Sequence, residues 1–310
     1  MSIEKEPSDA ENFVRHRQFC TRARDGFTHL LRQTWPGGKS RILLPAYIGH
    51  SPLEGSGIFD PLIALGIPYG FYAIDHALHF DLASLERELA RQDVFGVLAI
   101  HYFGSRQPEL GEMKRLCERG GVILIEDCCH CIERPGQPIG DTGDYALYSI
   151  HKVLPCEDGG ILQHARNAPD PGALPAELVC SDLPVRLWRD AAFHAIAERR
   201  VNNYRQMSTE LQGLSGITPF WDRLQEGAVP LNFPVLVESA DRFEVYKRMR
   251  AMGVGVVALY HTLVAAIEPD RFPVSHEISR KILNLPIHQD VGSEDVSRIV
   301  ATLSNALKSS

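Results

Sequence analysis

Residues 121–162 decide the fold and read GVILIEDCCHCIERPGQPIGDTGDYALYSIHKVLPCEDGGIL. The stretch opens with the apolar residues 122–125, a run typical of a strand that is buried on both faces of a parallel sheet. Glu126 and Asp127 follow directly, so an acid is predicted where this strand leaves the sheet. Ligands of open α/β sheets bind at the carboxyl ends of the strands, which makes this acid a candidate ligand group.

A second apolar segment, residues 145–150, ends at His151 and Lys152. Gly159 and Gly160 then turn the chain into a further short apolar piece. The stretch therefore predicts an acid and an amine at the ends of two strands. Such an arrangement can hold a charged heterocycle between the two groups.

Outside this stretch, apolar runs alternate with segments of helical periodicity. Strands are predicted at residues 42–45, 67–74 and 94–102, and helices at residues 13–33, 52–65, 82–90 and 110–118. This alternation indicates right-handed crossovers and the α/β class, with a mostly parallel sheet flanked by helices on both faces.

The chain changes character after this region. Residues 164–185 are rich in Pro, Asp and Ala and predict a loop, whereas residues 186–213 predict a long bridging helix. Beyond it we expect strands at 231–237, 254–259 and 282–287 and helices at 241–252 and 293–307. The sequence thus predicts a large α/β domain over residues 12–185 and a smaller α+β domain over residues 186–310.

Composition excludes several classes of function. The 310 residues carry 32 Lys and Arg against 39 Asp and Glu, a formal charge of −7 without a basic block. This disfavours nucleic acid and a polybasic membrane contact as partners. No apolar run reaches the roughly 18–20 residues that cross a bilayer, and the polar N-terminus does not resemble a signal peptide. We therefore expect a cytoplasmic protein with neither a nucleic-acid nor a membrane partner.

The seven cysteines are an odd number in a chain without a secretory signal, so free thiols are expected. The cluster 128–131 reads CCHC and is open to interpretation as metal ligands or as a redox pair. Because no second ligand pair follows at zinc-like spacing, we expect buried thiols and no metal.

Four segments together resemble the DegT/DnrJ/EryC1/StrS aminotransferase family. They are ILLPAYIG at 42–49, GVILIEDCCHCIE at 121–133, GDYALYSIHKVLPCEDGGIL at 143–162 and LNLPIHQDVGSEDVSRI at 283–299. Members of this family are fold-type I enzymes that depend on pyridoxal 5'-phosphate (PLP) and are best known as sugar aminotransferases. The resemblance covers residues 20–307 and implies a homodimer, because in this fold the site lies at the subunit interface.

The resemblance assigns roles to individual residues. Lys152 matches the lysine that forms the Schiff base with PLP, and burial beside a cationic ring would favour the neutral amine needed there. Asp127 matches the acid that keeps the pyridine nitrogen protonated, so that the ring accepts electrons. His130 matches the residue near the phenolic oxygen of the cofactor.

Phosphate and ring contacts are assigned in the same way. Ala23 and Arg24 align with the turn that binds phosphate before the first large helix, and Ser149 aligns with the serine ahead of the lysine. Gly49 stands where an aromatic residue or histidine often stacks on the ring. His50 or Tyr47 would then have to substitute, and His50 is the candidate.

The chain also departs from the family pattern. The loop between Asp144 and Lys152 is shorter than usual, and Ser149 lies nearer to the lysine. The segment after Gly160 is too short for the polar stretch by which a neighbouring subunit reaches the cofactor phosphate, although residues 202–204 could partly replace it.

Three functions follow as hypotheses. The first is a PLP-dependent aminotransferase that moves an amino group from a donor, commonly glutamate in the family, to a ketone or aldehyde such as a nucleotide-linked keto-sugar. The second is a sugar dehydratase-like PLP enzyme that uses His151, as some relatives replace the lysine by histidine. The third is a non-catalytic homologue that serves as a binding or regulatory subunit.

Overall fold

The computed structural model describes residues 16–133 and 138–308. Residues 12–15 of the predicted large domain and residues 309–310 of the predicted small one lie outside the described residues. In the described part, no helix combines the length and the apolar character needed to cross a membrane.

The larger sheet of the described residues has seven strands. They are β1 (His16–Cys20), β2 (Arg41–Pro45), β3 (Tyr69–Tyr72), β4 (Val94–Ile100), β5 (Ile123–Asp127), β6 (Tyr145–Ser149) and β7 (Gly160–His164). Their order is β1-β7-β6-β5-β4-β2-β3. The pairs from β3 to β6 are parallel, and β7 lies antiparallel between β6 and β1. The predicted α/β class with a mostly parallel sheet is confirmed.

Four helices connect the strands of this sheet. They are α1 (Ala23–Thr34), α2 (Phe59–Leu65), α3 (Leu82–Leu89) and α4 (Leu110–Gly120). The Asp81 carboxylate accepts a hydrogen bond from the Ser84 backbone and so caps the start of α3. Gly121 ends α4 with φ of 63°, a conformation that glycine adopts without strain. The core lies between these helices and the sheet.

A smaller antiparallel sheet follows, with its own apolar core. Its strands are β8 (Ile217–Pro219), β9 (Phe233–Val237) and β10 (Ile282–Leu285), in the order β10-β9-β8. The helices of this half are α5 (Asp182–Asp190), α6 (Phe193–Glu210), α7 (Arg242–Ala251), α8 (Pro273–Lys281) and α9 (Ser293–Lys308). The division into domains at residues 185 and 186, which falls inside α5, stays a prediction.

Several predicted elements differ from the structure. The helix predicted over 13–33 is a strand and a helix, because β1 pairs along its whole length with β7. The bridging helix is broken at Ala191 and Ala192. The strand predicted over 254–259 is reduced to one bridge between Val257 and Asn284. Helix α8 was not predicted; it begins with a proline in its first turn, where the missing N–H costs nothing.

Candidate active site

Asp127 and Lys152, the acid and the amine of residues 121–162, lie at the same edge of the larger sheet. β5 ends at Asp127, and β6 ends at Ser149 and passes into a 3₁₀ turn over Ile150–Lys152. β5 and β6 are parallel neighbours, and Asp127 pairs with Leu147. Both groups therefore leave the carboxyl ends of adjacent strands, where ligands bind in open α/β sheets.

A cavity of about 510 Å³ opens at this edge. This volume suits a small-molecule ligand. All the site residues predicted from the sequence line it: Ala23, Arg24, His50, Asp127, His130, Ser149 and Lys152. Their placement around one cavity is observed, whereas their individual roles stay predictions.

Asp127 is a buried acid without a cationic partner. The residue is 7% exposed, and its carboxylate accepts a hydrogen bond of 2.9 Å from the Cys129 backbone. Within residues 16–133 and 138–308, no ion pair involves Asp127. A buried carboxylate is unfavourable unless hydrogen bonds or an opposite charge compensate it. The site therefore suits a ligand that presents a cationic N–H group.

Lys152 does not have the burial that the sequence interpretation assumed. Both His151 and Lys152 are exposed, because the 3₁₀ turn carries them beyond the end of β6 to the rim of the cavity. Desolvation by the surrounding protein atoms and the neighbouring charge of Lys152 lower the pKa of His151. His151 is thus a neutral imidazole at neutral pH, and its ring lies 3.3 Å from the Ser149 hydroxyl.

His130 lies deep in the cavity wall and is 5% exposed. Burial, reinforced by the charge of Lys152, holds the pKa of His130 well below its ordinary value. Its Nδ1 accepts a hydrogen bond of 3.3 Å from the Phe103 backbone, which assigns the proton of the neutral ring to Nε2. His130 can therefore donate from Nε2, as the sequence interpretation requires.

The amino end of α1 forms another part of the cavity wall. Arg22 stands at the N-cap without a side-chain capping bond, and among the described residues the backbone N–H groups of Ala23 and Arg24 have no hydrogen-bond acceptor. A Cβ atom at Gly160 would lie 2.3 Å from the Ala23 nitrogen, so only glycine lets β7 approach this helix end so closely. With the guanidinium of Arg24 nearby, the helix end has the character of an anion site.

The two substitutes considered for ring stacking lie in different places. His50 is exposed and lines the cavity. Tyr47 is fully buried behind the wall, stacks on Tyr260 at 5.0 Å and has no hydrogen-bond partner for its hydroxyl among the described residues. His50 is therefore the one of the two that can meet a ligand.

Tyr260 lines the cavity and was missed by the sequence interpretation. Its φ of 61° is rare for a residue with a side chain. A Cβ atom at Gly49 would lie 3.0 Å from the Tyr260 ring. The absence of a side chain at Gly49 therefore makes room for an aromatic ring that comes from a distant loop.

The cysteine cluster is part of a buried hydrogen-bonded group. His101, Glu126 and Cys128 bring possible ligand atoms within 4.8 Å of one another. His101 and Glu126 are already engaged: Nε2 of His101 lies 2.9 Å from the carboxylate, and Nδ1 accepts from the Gln107 backbone. These bonds occupy both ring nitrogens of His101, and His101 does not line the cavity.

A second cavity, of about 420 Å³, meets the first at His130, His151 and Lys152. Its other polar lining residues come from α6, from β10 and from the loops before β9 and after β10: Arg200, Asn232, Asn284, His288, Gln289 and Asp290. Lys152 thus stands between two spaces. The suggested role of residues 202–204 at a cofactor phosphate receives no support, because Asn203 and Tyr204 are buried and Asn203 donates to the loop after β10.

The sequence model of the DegT/DnrJ/EryC1/StrS aminotransferase family matches residues 63–167 and 189–304. This chain belongs to that family. A curated relative from Campylobacter jejuni, UDP-4-amino-4,6-dideoxy-N-acetyl-beta-L-altrosamine transaminase, is 20% identical over 90% of this chain and 82% of its own.

Solved structures of low identity share the fold. The aminotransferase TlmJ from Streptoalloteichus hindustanus is similar with a TM-score of 0.77 and 20% identity, covering 94% of this chain and 86% of TlmJ. Helicobacter pylori PseC, an aminotransferase of pseudoaminic acid biosynthesis, has a TM-score of 0.78 and 14% identity and covers 96% and 88%. The predicted fold-type I architecture is confirmed.

Membership of the DegT/DnrJ/EryC1/StrS family explains which site residues could be predicted from the sequence. Asp127 and Lys152 lie in the specific motifs of the family and could be found from short segments. Tyr260 and Arg200 lie outside those motifs, and only the packing of distant segments brings them to the cavities. The sole available signal for Tyr260 was the missing side chain at Gly49.

Proposed function

We propose that this protein is a PLP-dependent aminotransferase in which Lys152 carries the cofactor and Asp127 holds its ring. The observation that carries the proposal is the cavity lined by a buried, unpaired carboxylate and an exposed amine from adjacent strand ends. When bound, PLP supplies an electron-accepting ring and a carbonyl carbon through which an amino group passes between substrates.

The residues present fit this cofactor. The Asp127 carboxylate would accept the N–H of a pyridinium ring, which compensates both buried charges. Nε2 of His130 would donate to the phenolic oxygen. The amino end of α1, Arg24 and the Ser149 hydroxyl would hold the phosphate, with backbone N–H groups in place of the hydroxyl that Ala23 lacks.

Lys152 has two tasks in this proposal. Its Nζ would hold the cofactor between turnovers and, once released, would accept the proton that leaves the substrate carbon and hold it for return. Exposure at the junction of two cavities lets Nζ leave and return without displacing packed side chains. His151 is a neutral base beside it and is the alternative proton carrier.

We further propose a nucleotide-linked keto-sugar as the acceptor, a cytoplasmic location and a homodimer. The acceptor is supported by the name of the Campylobacter relative, which is a transaminase of a UDP-linked amino sugar. The homodimer is supported by the exposure of Lys152 at the open rim, where a second copy would complete the wall.

The decisive experiment is reduction of the PLP-treated protein with borohydride, followed by peptide mapping. We expect the cofactor to be fixed on Lys152, and Lys152→Ala to lose both this label and at least about 10³-fold in amino transfer. The exposed Lys39 supplies a matched control, Lys39→Ala. A label elsewhere, or full turnover by Lys152→Ala, would refute the proposal.

The competing hypotheses give different results in the same experiment. A dehydratase-like enzyme would lose its activity in His151→Ala while Lys152→Ala remained active. A non-catalytic homologue would remain colourless after incubation with PLP and carry no label after reduction.

A further inference from the structure

The turn that carries Lys152 is held by a side chain from the smaller half of the molecule. The amide of Gln289, in the loop after β10, donates from Nε2 to the Val153 carbonyl at 2.8 Å. Val153 directly follows Lys152, and its backbone N–H donates to the Ile150 carbonyl at 2.9 Å within the turn. The backbone next to the amine is therefore fixed from one side by the turn itself and from the other side by Gln289.

The other end of the Gln289 amide is fixed as well. Its Oε1 accepts hydrogen bonds from Nε and Nη2 of Arg200 at 3.0 and 2.7 Å. Because a guanidinium only donates, the amide oxygen must face Arg200 and the NH₂ group must face Val153. Arg200 lies on α6, is 2% exposed, and donates from Nη1 to the Leu231 carbonyl at 2.8 Å. Gln289 thus links the turn with the amine to a buried residue of α6.

The same set of hydrogen bonds continues to His130. The Leu231 N–H donates to the Phe103 carbonyl at 2.9 Å, and the Phe103 N–H donates to Nδ1 of His130 at 3.3 Å. Gly104 permits this contact between the segments, since a Cβ atom there would lie 2.1 Å from the Val229 carbonyl oxygen. The turn with the amine and the imidazole of His130 therefore lie at the two ends of one connected network.

The turn needs an outside contact because it is short. It is a single 3₁₀ turn over Ile150–Lys152, and hydrogen bonds of 3₁₀ geometry are poorer than those of an α-helix. The Lys152 side chain is exposed, so it does not anchor the turn by packing. A misplacement of about 1 Å at a reacting group can cost about 10²-fold in rate. A hydrogen bond to the backbone from outside the turn supplies this precision.

We propose that Gln289 is a positioning residue that sets the place of the Lys152 amine relative to His130. The carbonyl carbon and the phenolic oxygen of PLP are attached to adjacent ring atoms, so both protein groups must fit the ring at the same time. An amide suits this role, because it accepts from a guanidinium and donates to a carbonyl at once. The inference rests on the proposed function and gives a role to a residue that lines only the second cavity.

Gln289→Glu tests this role because it changes one end of the side chain only. The carboxylate has the shape of the amide and still accepts from Arg200, but it offers no N–H to the Val153 carbonyl. The thermal midpoint should stay at or above the wild-type value, since the buried Arg200 gains a counter-charge. We expect Lys152 to capture PLP about 10-fold or more slowly, measured by visible absorbance, with reduced visible circular dichroism of the bound cofactor.

Two further variants separate the lost hydrogen bond from the added charge. Gly255→Asp places a negative charge in the second cavity, where a Cβ atom would meet no other atom within 4 Å, and it leaves the Gln289 amide intact. It should capture PLP within about 3-fold of the wild-type rate, because an exposed charge interacts weakly. Gln289→Met removes both ends of the amide without adding a charge and should be as slow as Gln289→Glu.

Capture of PLP by Gln289→Glu at the wild-type rate would overturn the inference. An equal loss in Gly255→Asp would also overturn it, by assigning the effect to charge. So would a thermal midpoint of Gln289→Glu that falls together with the capture rate, because Gln289 would then serve stability alone. Borohydride labelling separates the two proposals: a wild-type protein without label on Lys152 refutes the aminotransferase proposal, whereas labelled wild type with unaffected variants refutes the positioning role alone.

Discussion

Glu126 and Asp127 are adjacent acids with opposite environments. Successive side chains of a strand point to opposite faces, so Asp127 reaches the cavity while Glu126 is fully buried beside His101. Burial alone would raise the pKa of Glu126, but hydrogen bonds from His101 and from the backbones of Gly143 and Thr142 hold it below its ordinary value. Glu126 therefore contributes to the buried hydrogen-bonded structure, whereas Asp127 is available to a ligand.

Glu126→Gln should destabilise the protein by about 2–4 kcal/mol at neutral pH, because an amide N–H would face the His101 N–H. The His101 proton cannot move to Nδ1, which accepts from Gln107. Since the folded-state pKa of Glu126 is lowered, its contribution is present above about pH 4.3 and is lost as the pH falls further. The gap between wild type and variant in unfolding free energy should therefore narrow in acid.

Urea denaturation at pH 7 and near pH 4 measures this gap. The exposed Glu177 supplies the control variant Glu177→Gln, which should match wild type within about 0.5 kcal/mol. A gap that stays constant or widens in acid would contradict the assignment of Glu126 as a buried carboxylate.

Tyr260 should contribute to cofactor binding through its ring. Burial raises the pKa of its hydroxyl, which therefore stays neutral. We expect Tyr260→Ala to weaken PLP binding by about 10-fold, since a lost aromatic contact is worth about 0.5–1.5 kcal/mol beyond its buried area. Tyr260→Phe keeps the ring and should remain within about 2-fold. Spectrophotometric titration with PLP measures the affinity of both variants. Equal losses of PLP affinity in Tyr260→Ala and Tyr260→Phe would indicate that the hydroxyl, and not the ring, contributes to binding.

At the level of elements, the site depends on how β7 meets the start of α1. β1 pairs with β7 and ends two residues before α1, so the strand fixes the position of the helix end. Gly160 permits the approach, since a side chain there would collide with the backbone of Arg22 and Ala23. Backbone atoms cannot rotate away as a flexible side chain would.

Gly160→Ala should therefore cost at least about 3 kcal/mol of stability, in the range of severe overpacking. The control is Gly111→Ala on α4, where a Cβ atom meets nothing within 4 Å and the helix should gain up to about 1 kcal/mol. Chemical denaturation compares them, and similar stability of the two variants would show that the contact at Gly160 relaxes freely.

The sequence predicted elements well where local pattern and packing agree. Residues 94–102 and 82–90 correspond closely to β4 and α3. It was wrong at residues 13–33, because the spacing of Phe19, Ala23 and Phe27 fits a helix while Phe19 is in fact held in a strand opposite Ile161. Pairing with a partner about 140 residues away cannot be read from a local window.

The same limit applies to the candidate site. Asp127 and Lys152 follow strands whose apolar character is local, so their positions could be predicted. Arg200 reaches its cavity through the packing of α6 against the loop after β10, and its hydrogen bonds to Gln289 and to the Leu231 carbonyl form only in the folded chain.

At the level of the whole molecule, an exposed apolar side chain lies at the rim of the first cavity. Leu53 is 95% exposed in the tight turn between Ser51 and Gly55, and these two residues line the cavity. A solvated leucine beside a ligand cavity is consistent with burial against a second copy of the chain.

Leu53→Asp should shift the proposed homodimer toward monomers, because a charge would be buried at the interface. Light scattering after size-exclusion chromatography measures the mass. Met252→Asp, at another exposed apolar side chain on the smaller half, should leave the mass unchanged. Wild-type protein that elutes as a monomer, or a dimer that tolerates Leu53→Asp, would contradict the proposed interface.

The position of Lys152 between two cavities has a kinetic consequence. Amino transfer by one amine proceeds as two successive half-reactions, so donor and acceptor must take turns at the same nitrogen. A high concentration of the donor will therefore also occupy the enzyme form that awaits the acceptor. Turnover should then pass through a maximum and decline as the donor is raised, and additional acceptor should restore the rate.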